Sequence, residues 1–202
     1  YYYTISRLPE ATEQLQREPS GPQTDVYAGQ QRTYCLLEEH GVRLIAPVFA
    51  GTTLDTPTLP PELYSIFEPQ TGRVFIDAGG DDAGVTALGG LHGQLEETGY
   101  QMLYVINRYR VLSQTPEEAA ALLGEIEAAS RLKATALVNN SHLGVETQLQ
   151  DLLDALGFAQ RASQLTGLPL LYSTAPDFAL KEGEPLPEGF RPVKRYVKFM
   201  WE

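Results

Sequence analysis

Cysteine occurs once in this sequence, at position 35, so no intrachain disulfide can form and a four-cysteine metal site is excluded. A reducing, cytoplasmic compartment is the one this usage predicts. Basic residues are scarce too: 15 Lys and Arg stand against 26 Asp and Glu, a formal charge of −11. Such a surface is not built to displace counterions from a nucleic-acid backbone or to adhere to anionic lipid. No apolar run reaches the roughly 18 residues that a membrane span needs, and the first residues carry no signal-peptide pattern. His40, His92 and His142 never fall at i, i+4 spacing, which removes the helical zinc-protease pattern. A G-x-S-x-G elbow is missing, so a serine hydrolase has no support. Gly-Lys-Ser and Gly-Lys-Thr are missing as well.

What is there reads as one folded domain. The chain has 202 residues, enough for a real core, and its prolines and glycines fall in punctuating clusters rather than low-complexity runs. Residues 1–26 read as an irregular segment or linker, with strand-like content in "YYYTIS" and breaks at Pro19, Gly21 and Pro22. Because the first residue is Tyr, the reading expects further residues before it. From Tyr27 to residue 202 strand and helix alternate. "YAGQQRTYCLLEEHG" is a predicted helix that places Cys35 as a buried structural thiol. "VRLIAPVF" is a strand, a short helical piece covers Glu62 to Phe67, and "RVFID" is a strand expected to be buried on both faces.

The second half repeats the pattern more clearly. "TALGGLHGQLEETG" is a helix and "YQMLYVIN" a buried strand. "TPEEAAALLGEIEAASRL" opens on Thr115, Pro116 and Glu118, a capping box with proline at the first helical position. "KATALVNN" is a strand, and "TQLQDLLDALGFAQRASQLTG" repeats the start signal with Thr147 and Gln150 before closing at Gly167. "LPLLYS" is a strand that leads into a loop, "TAPDF". Repeated alternation of this kind predicts an α/β fold: a mostly parallel sheet with helices on both faces, in three layers. Ligands on such sheets bind beyond the carboxyl ends of the strands.

The chemistry-bearing residues gather at those ends. Asp77 closes an apolar strand, and Gly79 and Gly80 let the backbone turn sharply and approach a ligand. A carboxylate there can hold Mg²⁺ through water while a glycine amide faces a terminal phosphate. Asp81 and Asp82 can complete a cation site, as in a metal-dependent hydrolase, or cap the next helix. Asn139 and Asn140 bring amides that both donate and accept, suited to a base edge or to fixing a loop. Pro176 and Asp177 supply an apolar shelf and an acceptor. His142 sits in the same group of loops as a contact for phosphate or ribose, or as a solvated loop residue. At the C-terminal end "FRPVKRYVKFMW" interleaves Arg191, Lys194, Arg195 and Lys198 with aromatics; an edge strand with its apolar side docked is preferred over a base-stacking surface.

"VFIDAGGDDAGVTALG", "YQMLYVINRYR", "EIEAASRLKATALVNNSHLGVET" and the closing "RYVKFMW" resemble, in order and approximate spacing, the ParA/MinD/CobQ-like proteins, P-loop ATPases of the deviant-Walker kind. The resemblance covers roughly Tyr27 to Trp201. It implies that Asp77 is the acid that holds Mg²⁺, that Gly80, beside Gly79, senses the γ-phosphate, and that Asn139, with Asn140 beside it, reads adenine. It implies too that Pro176 and Asp177 line the base pocket, that ATP and Mg²⁺ are the cofactors, and that a homodimer or a protein partner forms. The departure is the Gly-rich phosphate loop with its lysine, which family members carry near the start and which these residues lack. Two readings follow: a nucleotide-binding switch, slowly hydrolysing ATP if the loop lies outside these residues, or a divergent, non-catalytic interaction or scaffolding domain.

Overall fold

The computed structural model describes residues 4–7, 43–45, 61–68, 73–78, 85–180 and 185–194. The chain divides into two compact units, one of residues 1–79 with 196–202 and the other of residues 80–195. The second unit holds the parallel sheet that the alternating pattern predicts. Strands β4 (Leu103–Ile106), β5 (Ala136–Asn139), β6 (Leu170–Pro176) and β7 (Phe190–Val193) lie side by side in that order, every pair parallel. Helix α1 (His92–Thr98) precedes β4, and helices α2 (Pro116–Ser130) and α3 (Leu149–Thr166) connect β4 to β5 and β5 to β6. The chain is thus α/β.

Each element follows from its residues. β5 is the continuous run Ala-Leu-Val-Asn, and all four side chains are buried, as a central strand of a parallel sheet requires. α2 begins with the predicted capping box: Thr115 Oγ1 accepts from the Glu118 amide, and Glu118 accepts from the Thr115 amide. It ends on Arg131 in the left-handed region, φ 59°, a position where glycine is the usual residue. α3 stops at Gly167, φ 70°, as expected.

The start of α3 differs from expectation by one residue. Its capping box is Gln148 with Asp151, not Thr147 with Gln150. The reason is local: the Thr147 hydroxyl is taken by the preceding turn, accepting from the Leu143 amide at 2.8 Å and donating to the Gly144 carbonyl at 2.6 Å. β6 also runs further than expected. "TAP" continues the strand because β7 extends the ladder beside it, pairing Ala175 with Pro192 and Pro176 with Val193. A short 3-10 turn, Asp177–Ala179, follows.

Packing ties these elements into one core. α2 and α3 lie against each other, and α3 packs on β5 and β6. Leu137, Leu152, Ile126 and Ile106 are almost fully enclosed, each worth about 1.5–3 kcal/mol of transfer free energy. Tyr104 fastens β4 to α2 by donating its hydroxyl to the Ala119 carbonyl at 3.0 Å, and burial pushes its phenol up to about 12. Where the turn Thr86–Gly90 meets α2, Gly89 is required: a Cβ there would stand 2.8 Å from the Ala129 carbonyl oxygen.

The first unit is built differently. β1 (Thr4–Arg7), β2 (Leu44–Ile45) and β3 (Val74–Asp77) form a sheet in the order β2-β1-β3, and both pairs are antiparallel. A 3-10 helix, Pro61–Phe67, occupies the expected short helical piece and buries Leu63. β3 departs from its expectation. Its burial alternates and Phe75 is 46% exposed, where a strand covered on both faces was expected. Antiparallel pairing explains this, since such sheets commonly keep one face in solvent. Asp77 therefore ends a strand of the antiparallel sheet, whereas Asn139 ends a strand of the parallel one. The predicted helix of residues 27–41 with Cys35, the stretch 79–84 with Gly79, Gly80, Asp81 and Asp82, and residues 195–202 lie outside the described residues.

Candidate functional site at the strand ends

At the carboxyl ends of β4 to β7 an open cleft of about 400 Å³ is lined by Val105, Val138, Asn140, His142, Thr174, Pro176, Phe178, Val193 and Lys194. All of these belong to the second unit. The lining is mainly aliphatic and aromatic, with an amide, an imidazole, a hydroxyl and an ammonium set into it, a composition suited to a flat, partly polar small molecule.

Behind the cleft lies a closed polar network. Asn139 is 2% exposed; its Nδ2 donates to Ser173 Oγ at 3.0 Å, and its Oδ1 accepts from Ser141 Oγ at 2.6 Å. Ser141 Oγ in turn accepts from the Arg108 amide at 2.9 Å. One side chain thus binds the tip of β5 to β6 and to the loop after β4. Such a network fixes two loops and β6 at once, because each buried polar group left unmatched would cost free energy.

Asn140 is placed differently. It is only half-buried, lines the cleft, and its Oδ1 accepts from Thr174 Oγ1 at 2.5 Å. His142 Nδ1 accepts from the Gly144 amide at 3.1 Å, which puts the ring proton of the neutral imidazole on Nε2. Pro176 and Phe178 form the apolar side. Asp177 is exposed, next to the lining residues Pro176 and Phe178, and its Oδ1 accepts from the Phe178 amide at 2.9 Å. Of the residues expected to bind a nucleotide, Asn140 and Pro176 line the cleft, with His142 and Lys194 beside them, while Asn139 supports it from behind.

Thr174 and Phe178 were not singled out from sequence, although both lie inside the quoted stretch "TAPDF". Their signal was the run of strand residues continuing to Pro176, which moves the strand tip onto them. Arg191, expected on an edge strand in preference to a base-stacking surface, does lie on the edge strand β7, its guanidinium 4.7 Å from the centre of the Tyr172 ring in a cation–π contact.

The loop after β4 is itself tightly built. Asn107 Oδ1 accepts from the Tyr109 amide, its carbonyl accepts from Ser113 Oγ and from the Arg110 amide, and the Arg110 carbonyl accepts from the Ser113 amide. Tyr109 and Arg108 reach α3, donating to the carbonyls of Asp151 and Asp154. Val111 and Leu112 stand at its tip, 81% and 70% exposed.

Asp77 belongs to the first unit. Its side is open to solvent, yet loss of surrounding water raises its carboxyl above the ordinary value of 3.8. Among the described residues no three His, Cys, Asp or Glu side chains gather as a metal-holding group, and no helix is long and apolar enough to cross a membrane. Compared with known proteins, the chain matches no family model, no curated protein and no solved structure.

Proposed function

We propose that this protein binds a nucleotide, with the base in the cleft at the ends of β5, β6 and β7, as a ParA/MinD-type ATP-binding protein. The observation that supports it is a convergence. Asn140 and Pro176, expected from sequence to meet a base, line one cleft with Phe178 and Lys194 at the carboxyl ends of a parallel sheet. A base needs an apolar face and a few edge hydrogen bonds, which a proline, an aromatic ring and an amide supply. A lysine nearby favours the anionic part of the same ligand.

Mg²⁺ enters through the resemblance. It gives Asp77, in the first unit, as the residue that would hold the ion, and magnesium is commonly bound by only one or two protein carboxylates. A carboxylate that burial already strains toward its neutral form gains from a cation beside it, which suits Asp77 to the task.

Titration with a fluorescent ATP analogue in the presence of Mg²⁺ tests the reading. Saturable binding is expected, weakened by Asn140→Ala. A linear signal up to about 1 mM nucleotide would overturn it.

A second reading, a divergent interaction or scaffolding domain without hydrolysis, is favoured by one observation. The amide of Asn139, at the position the resemblance gives to base reading, is consumed by Ser173 and Ser141. On this reading Asp77→Ala leaves the cellular phenotype unchanged, and a null phenotype from that single change counts against it.

A further inference from the structure

We infer that Thr174 is a specificity-determining residue of this cleft. It holds the Asn140 amide with its oxygen toward β6, so that the group offered to a ligand is the NH₂ donor and the ligand atom it meets is an acceptor. In the nucleotide reading, on which this rests, that atom is N1 or N7 of the adenine ring.

An asparagine amide carries an acceptor and a donor on opposite arms, and only a half-turn about its terminal bond exchanges them. Left alone at a cleft, such an amide satisfies donors and acceptors alike. Here the neighbour decides. The Thr174 hydroxyl has one proton and two acceptors in reach, Asn140 Oδ1 at 2.5 Å and the Asn139 carbonyl at 3.5 Å. The shorter contact is a full hydrogen bond and the longer one lies at the limit, so the proton goes to Asn140. Thr174 is itself 8% exposed, which leaves little water to compete for that proton. Its backbone is fixed in β6 opposite Arg191 of β7.

The other arm of the amide is left over. Among the described residues Asn140 Nδ2 has no hydrogen-bond partner, although the residue is half-buried in a largely apolar recess. A donor in that position gains by meeting an acceptor and loses by meeting another donor. Discrimination of this kind is large, because a site built to hydrogen-bond one group leaves its own polar atom unmatched when that group is missing. Valine at 174 would keep the shape and remove the proton, freeing the amide to present either arm. Serine would keep the proton.

Isothermal titration of ATP, 1-deaza-ATP and 7-deaza-ATP, with Mg²⁺, against the wild type, Thr174→Val and Thr174→Ser tests this. One of the two deaza compounds is expected to bind the wild type about tenfold more weakly than ATP, the loss of one neutral hydrogen bond. In Thr174→Val the penalty falls below about threefold, and Thr174→Ser restores it. Asn140→Ala, which leaves β6 untouched, must abolish the same penalty even if Thr174→Val does not fold. Deaza compounds that both bind within about twofold of ATP overturn the inference while leaving nucleotide binding intact, as does a full penalty surviving in Thr174→Val or Asn140→Ala. No binding of ATP to the wild type overturns the nucleotide reading itself, and the inference with it.

Discussion

Strand β5 buries all four of its residues and ends on Asn139, whose amide is matched at both ends by Ser173 and Ser141; strand β3 alternates, exposes Phe75, and ends on Asp77, whose carboxyl is strained by desolvation. Both tips were expected to do chemistry. The difference lies in what surrounds them. A tip inside a parallel sheet has neighbouring tips on either side to satisfy its polar groups, so its side chain becomes a strut. At the end of β3 loss of surrounding water raises the Asp77 carboxyl, and a proton or a nearby cation offsets that cost.

The sharpest way to break this comparison is to truncate both strands. Leu137→Ala, at a fully enclosed position of β5, should cost about 2–5 kcal/mol in urea unfolding, and Phe75→Ala on β3 under about 1.5 kcal/mol. Equal costs would mean that the two strands contribute alike. Next in size is the strut. Asn139→Ala leaves Ser173 and Ser141 without their shared partner and should cost about 2–3 kcal/mol, whereas Asn140→Ala, half-buried at the cleft, should cost below about 1 kcal/mol. A larger loss at Asn140 would reverse their roles.

The smallest effect lies at Asp77. Its folded carboxyl titrates above 3.8, so the folded state holds a proton that the unfolded state has released, and its contribution to stability falls as pH rises through that interval. Below both values the carboxyl is neutral in either state and the term vanishes. Asp77→Asn should therefore raise the melting temperature slightly at neutral pH, with the gain fading as the pH drops under the ordinary carboxylate range. A variant less stable than wild type at neutral pH would show that Asp77 is held by favourable contacts.

Much of the second unit was legible in the sequence. The capping box at Thr115, the stop at Gly167 and the places of β4 to β6 are local signals, and local physics decides them; β4, expected as a buried strand, instead alternates in burial and leaves Leu103 and Val105 exposed. β3 looked like those strands, and its pairing did not follow, because three apolar residues and an acid do not record whether the neighbouring strand is parallel. The same limit separates Asn139 from Asn140. Adjacent residues of a strand point to opposite faces, so one becomes core and the other cleft, and "NN" alone does not say which. Thr147 was read as a cap because threonine before a helix usually is one; a turn four residues upstream had the stronger claim on its hydroxyl. Thr174 carried no motif at all, and only its distance to Asn140 gives it a role.

The loop from Asn107 to Ser113 has a consequence for handling the protein. Val111 and Leu112 form the kind of exposed aliphatic bond that a broad-specificity protease seeks, yet cleavage requires about a dozen residues to open into an extended strand, and exposure alone does not provide that. The bonds from Asn107 to Tyr109, Arg110 and Ser113, and from Arg108 and Tyr109 to α3, hold this segment shut. Thermolysin should spare it under native conditions and cut there once Asn107→Ala releases the turn, so the rate of nicking becomes a gauge of how firmly this loop is held.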